Sequence, residues 1–344
     1  MSTSTVNIVT VSLREAGPLV IHCAKRKKPV MLWGGTGVGK SDLVEQLAAA
    51  LGLPLHTFIA SLKTPVDLSG IPVPDMATGT TTWLRSEDIP SFACVLFLDE
   101  INACPPSMQA ALFQLALKRR VGQHQLHPDT IIVAAGNRLT DRAAAQRMPT
   151  ALANRFQHFN VEPNVEDWCD YQASIGGNEI YSAFLRARPE LIYLAPGQES
   201  ERIKVPADAV AFPTPRSHTT AAECVDVADA TTRFHLVASA VGEGIAHELN
   251  GFLPTITQLP TFGEVVANPK SARVPTDPSL CYAVVSMLAV QATRETIDAV
   301  FAYAARVGGE YEMVMAAEIS RRKPELTETS AYTTHSIAHQ NEVL

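Results

Sequence analysis

The stretch with the plainest chemistry is GGTGVGKS, residues 34–41, which satisfies the spacing G-x-x-x-x-G-K-[ST] in full. Gly34, Gly35, Gly37 and Gly39, with Thr36 and Val38 among them, can curl so that backbone N–H groups point at phosphate oxygens. Lys40 has the reach for β- and γ-phosphates, and the Ser41 hydroxyl is a hard ligand for Mg2+. The apolar run PVMLWG before the loop predicts a strand, and KSDLVEQLAAALG after it predicts a helix closed by Gly52.

A second run, VLFLDEIN, is an apolar strand ending in two carboxylates, Asp99 and Glu100. At the C-terminal edge of a parallel sheet they would face the same crevice as the phosphate loop. Asp99 is expected to hold Mg2+, and Glu100 to orient and deprotonate the attacking water. A third run closes in AAGNR, whose Asn137 can hydrogen-bond that water or the γ-phosphate, though an Asn after Gly is often only a turn residue. These residues predict a Mg2+-dependent hydrolase of ATP, yielding ADP and phosphate. No NKxD-like guanine-reading motif is visible.

Positioning such groups takes a scaffold, and 344 residues with 46% hydrophobic and 18% charged suffice for two domains. No apolar run approaches the roughly 20 residues that span a bilayer, and the N-terminus shows no signal-peptide pattern. The six cysteines include no CxxC pair, which predicts reduced thiols in a cytoplasmic protein. Up to about residue 160, apolar runs alternate with amphipathic stretches, as in an α/β sheet: LHTFIASL, ACVLFLDE and TIIVAAGN read as strands covered on both faces. Hairpins are expected through DMATGT and through RRVGQHQLHPDT. Beyond Glu162 the periodicity is helical, with LPTFGEVVANPKSARVPTDP expected as a Pro-rich connector and the tail after Arg322 as loosely held.

The order of phosphate loop, FLDE, terminal Asn, LANRF and a helical part opening with FPTPRS resembles the AAA+ ATPases. DEINACPPSMQAALFQLALKRRVG and TPVDLSGIPVPD make it most similar to the MoxR branch, the likeness running over about residues 8–230. Ala103 and Arg138 depart from that branch, which commonly has a basic residue and a proline there. The resemblance implies a P-loop AAA+ α/β domain over 1–162, an α-helical lid over 163–265 and a helical C-terminal extension over 266–344. It implies that Arg155 of LANRF is an arginine finger reaching a neighbour's ATP, so that the site is complete only in a homo-oligomer, usually a hexamer. It also implies that Arg216 of FPTPRS is a cis sensor, and the branch suggests a chaperone acting on a protein client, often with a von Willebrand A-type partner.

Other readings remain open on the residues alone. Arg155 is otherwise a surface arginine in a salt bridge, and Arg216 a plain helix-start arginine. Arg147 is a second trans arginine or a solvated helix residue. A nucleic-acid-translocating or restriction-type motor would need a basic pore, with Lys63, Arg85, Lys118, Arg119 and Arg120 as candidates, and the net charge of −7 weighs against it. KRKK, residues 25–28, fits the end of a helix, where cations suit the macrodipole. His335 with His339, and Glu243 with His247, have i, i+4 spacing but no third metal ligand.

Overall fold

The computed structural model describes residues 8–138, 148–256 and 258–338. The chain divides into two compact units, Met1–Glu162 and Pro163–Leu344. In the first, the elements run β1 (Val9–Val11), α1 (Leu13–Lys25), β2 (Val30–Trp33), α2 (Lys40–Leu51), β3 (Leu55–Ile59), α3 (Pro65–Ser69), β4 (Ile71–Asp75) and β5 (Thr80–Leu84). They continue with β6 (Val95–Asp99), α4 (Pro106–Lys118), β7 (Arg120–Val121), β8 (His124–Gln125), β9 (Ile131–Gly136), α5 (Thr150–Ala153) and β10 (Gln157–Val161).

A six-stranded sheet of order β1-β10-β2-β9-β6-β3, parallel throughout, forms the centre. Its middle strands are apolar end to end because helices cover both faces. On one face Met108, Leu112 and Leu115 of α4 pack with Met31, Leu96, Leu98 and Ala134 from the strands, joined by Leu152 and Phe156 around α5. On the other, α1 and α2 lie against each other and against strands of the sheet. Ser12 and Glu15 form a reciprocal cap that starts α1, and Gly52 in the left-handed region ends α2. The two expected hairpins are present, β4 with β5 and β7 with β8. The KRKK cations sit at the end of α1, where Lys27 pairs with Asp129 at 2.9 Å.

The second unit is helical: α6 (Val165–Ser174), α7 (Glu179–Ala187), α8 (Pro215–Ala222), α9 (Ala230–Val241), α10 (Glu243–Ile256), α11 (Phe262–Ala267), α12 (Pro278–Gln291), α13 (Ile297–Val307), α14 (Gly309–Arg322) and α15 (Ser330–Ala338). Arg186 of α7 is buried and paired with Glu166 at 3.2 Å and with buried Glu318, so three helices are tied through one guanidinium. Two expectations are corrected here. The Pro-rich connector contains α11, started by a Thr261–Glu264 capping box and anchored by buried Val265. The tail after Arg322 includes α15, whose His335 is buried with Nδ1 2.7 Å from Glu312 Oε1. His339 and Arg147 lie outside the described residues, and no metal-binding cluster occurs among the described ones.

On the buried side of α8, His218 lies 2.8 Å from the Tyr181 hydroxyl and 2.9 Å from the Leu191 carbonyl. Burial pushes its imidazole down to about 4. Between that value and the ordinary 6.5 the unfolded chain binds a proton that the folded one refuses, so stability falls as pH drops through this window. The loss reaches roughly 3 kcal/mol by pH 4. Urea midpoints measured from pH 7 to 4.5 should therefore fall more steeply for the wild type than for His218→Asn, and parallel slopes would contradict the assignment.

Candidate active site

The phosphate loop leaves β2 and re-enters regular structure at α2. Gly37 and Gly39 adopt φ of 74° and 98°, a region open to glycine and costly for other residues. A Cβ on Gly34 would stand 2.7 Å from the Val161 carbonyl oxygen, so the loop can pass its neighbour strand only as glycine. Val38 is buried and pins the loop, while Thr36 is exposed. No side chain caps α2, which leaves the N–H groups of its first turn to accept an anion. Lys40 Nζ donates to the carbonyls of Gly34 and Gly35 at 2.7 and 2.8 Å and to Asn137 Oδ1 at 3.3 Å.

Strand order explains that last contact. β9 lies between β2 and β6, so Asn137 at its end stands between the loop and the acids. Ser41 Oγ donates to Asp99 Oδ2 at 3.4 Å, and the Glu100 N–H donates to Asp99 Oδ1 at 2.8 Å. Burial raises the Asp99 carboxyl above the usual carboxylate range, with the Glu100 N–H and the Lys40 charge opposing. Glu100 has φ of 53°, a left-handed kink that turns its exposed side chain out of line with the strand. Its carboxylate accepts a hydrogen bond from Ser61 Oγ.

Sequence reading missed Ser61 and Asn102. Ser61 follows β3, and the register Ile59↔Asp99 brings it alongside Glu100. Buried Asn102 donates from Nδ2 to the Asn137 carbonyl at 2.7 Å. A Cβ on Gly136 would stand 2.3 Å from Asn102 Oδ1, which accounts for glycine there. Arg138 pairs with Glu162 at 3.4 Å.

Arg155 stands just past α5, exposed, between Leu152 and Phe156, which are both in the core. Its guanidinium makes no ion pair among the described residues. Arg216 belongs to the second unit, exposed at the second position of α8, whose start is fixed by a Thr214–Ser217 capping box.

Residues 29–156 match the AAA domain of the dynein-related subfamily. The matched segment contains the loop, Asp99, Glu100, Asn137 and Arg155, and it makes the chain an ATPase. Among solved structures, a candidate ATPase from Cytophaga hutchinsonii is 14% identical with a TM-score of 0.36, over 97% of this chain and 90% of that one. A proline-to-glycine variant of RuvB from Thermotoga maritima is 15% identical with a TM-score of 0.35, over 95% and 87%. No helix among the described residues is long and apolar enough to cross a membrane.

The packing of Asn102 on Gly136 makes a coupled pair. Gly136→Ala alone should lower kcat about tenfold, because the Asn102 carboxamide must yield and the Asn137 backbone with it. In an Asn102→Ala background the same change should cost little further, since Met31 Cε, 2.8 Å from the new Cβ, is a flexible thioether end. Strict additivity of the two losses in steady-state kinetics would contradict the contact.

Proposed function

We propose that this chain is a Mg2+-dependent AAA+ motor of MoxR type, working as a ring of six protomers, that remodels a protein client.

 The observation that carries this is the convergence of Lys40, Ser41, Asp99, Glu100 and Asn137 at one edge of a parallel sheet, with Arg155 exposed on the same unit. Lys40 would exchange its carbonyl contacts for the β- and γ-phosphates, and the uncapped N-terminus of α2 would receive phosphate oxygens. Ser41 Oγ and the Asp99 carboxylate are adjacent hard oxygens, the donor set Mg2+ favours. Bound there, the ion would neutralise charge on the transferring phosphoryl group. Asn137 orients the attacking water and Glu100 takes its proton, once the carboxylate leaves Ser61.

The remaining charge on the γ-phosphoryl group is assigned to Arg155 of a neighbouring protomer, a contribution of about 10³-fold or more. Arg216 is read as the cis sensor of the lid, residues 163–265, with 266–344 as the helical extension. The client is read as a protein, with a von Willebrand A-type partner as the form it takes in this branch. The nucleic-acid motor is disfavoured by the fate of its basic candidates. Arg85 donates to the carbonyls of Ile89, Pro90 and Gln125, and Arg119 to those of His127, Pro128 and Thr130. Lys63 is paired with Asp88 at 2.8 Å, which leaves Lys118 and Arg120 exposed.

Steady-state turnover and nucleotide titration of Arg155→Ala test the reading. Turnover should fall about 10³-fold while each protomer keeps its affinity for ATP. Lost binding with retained turnover would contradict it.

A further inference from the structure

Trp33 is the last residue of β2, immediately before Gly34. Its indole Nε1 donates to His158 Nδ1 on β10 at 2.9 Å, and the two rings lie edge to edge with centroids 6.0 Å apart and planes 18° from parallel. An indole N–H can only donate, so Nδ1 accepts and the ring proton sits on Nε2. His158 Nε2 in turn lies 2.7 Å from the carbonyl oxygen of Ala153, the last residue of α5. That oxygen also accepts from the Phe156 N–H at 3.1 Å. Both of its lone pairs are thereby engaged, which fixes the peptide plane leading into Asn154 and Arg155.

We propose that Trp33 and His158 are positioning residues that tie the presentation of Arg155 to the chain's own phosphate loop. The proposal rests on the shared-site reading above. Leu152 and Phe156 anchor the segment in the core, and the Asn154 and Arg155 N–H groups close its exposed turn on the carbonyls of Thr150 and Leu152. The relay adds the tie from this turn to the sheet: one hydrogen bond aims the Ala153 carbonyl, and the other refers His158 to the residue before the loop. The state of one protomer's loop is then felt by the arginine it offers to the next. Nothing in the loop's own chemistry calls for a tryptophan at 33 or a histidine at 158.

Subunit mixing separates this role from ordinary support of the protein's own site. Arg155→Ala protomers keep an intact site and lack only the arginine a neighbour needs. Mixed in equal amounts with Glu100→Gln protomers, which cannot hydrolyse but still carry Arg155, they should regain turnover. Failure of that control would overturn the shared-site reading itself, whatever His158 does.

With the control positive, His158→Ala replaces Glu100→Gln in the mixture. His158→Ala should bind ATP with unchanged Kd and co-assemble to the same mass. Its mixture should then stay about tenfold or more below the control in the turnover recovered by the Arg155→Ala sites. Recovery equal to the control would overturn the proposal. Should His158→Ala fail to fold, Trp33→Phe decides by the same criteria, since it keeps an aromatic ring at the end of β2 and loses the N–H donor. A shortfall for Trp33→Phe supports the relay, and its full recovery overturns the link to the loop. His158→Gln, which retains a donor for the Ala153 carbonyl, should recover part of the deficit; no gain over His158→Ala would count against that bond.

Discussion

One ammonium group organises the active edge. Lys40 reaches back across the loop to the carbonyls of Gly34 and Gly35 and sideways to Asn137, so three acceptors from the loop and the end of β9 are gathered around a single charge. The glycines make this possible because their backbone enters regions that other residues avoid. The same charge lies near Asp99 and opposes the effect of burial on that carboxyl. A phosphate entering the loop meets a cation already in place, aligned N–H groups at the start of α2 and little to rearrange.

The acids are held with comparable economy of parts. Asp99 receives the Ser41 hydroxyl and the Glu100 N–H, and Glu100 is turned aside by its left-handed backbone onto Ser61. Strain of this kind persists only where surrounding structure over-determines it, and the Ile101 N–H bond to the Ala135 carbonyl at 3.0 Å supplies part of that hold. Asn102 supplies the rest by crossing from the end of β6 to the end of β9. Glu100, Asp99, Ser41 and Asn137 are thus linked by backbone and side-chain bonds at neighbouring strand ends.

Much of this was legible in the residues. The phosphate loop and the paired acids are chemically specific, and long apolar runs such as Ile131–Gly136 announce strands buried on both faces. Other features depend on which strands become neighbours, which no local pattern records. Ser61 meets Glu100 because β3 pairs with β6, Asn102 meets Asn137 because β6 pairs with β9, and Trp33 meets His158 because β10 pairs with β2. β1, three residues long, is too short for a periodic signal. Prolines obscured α11 although its Thr261–Glu264 cap was readable, and polar residues obscured α15, which packs through a few positions such as His335.

The central claim is that Arg155 completes a neighbour's site, so nucleotide should drive assembly. The most direct measurement is the particle mass of Glu100→Gln protein at sub-micromolar concentration, with and without ATP and Mg2+. The account predicts a shift toward six protomers on adding nucleotide. A protein that stays monomeric with ATP bound would contradict it.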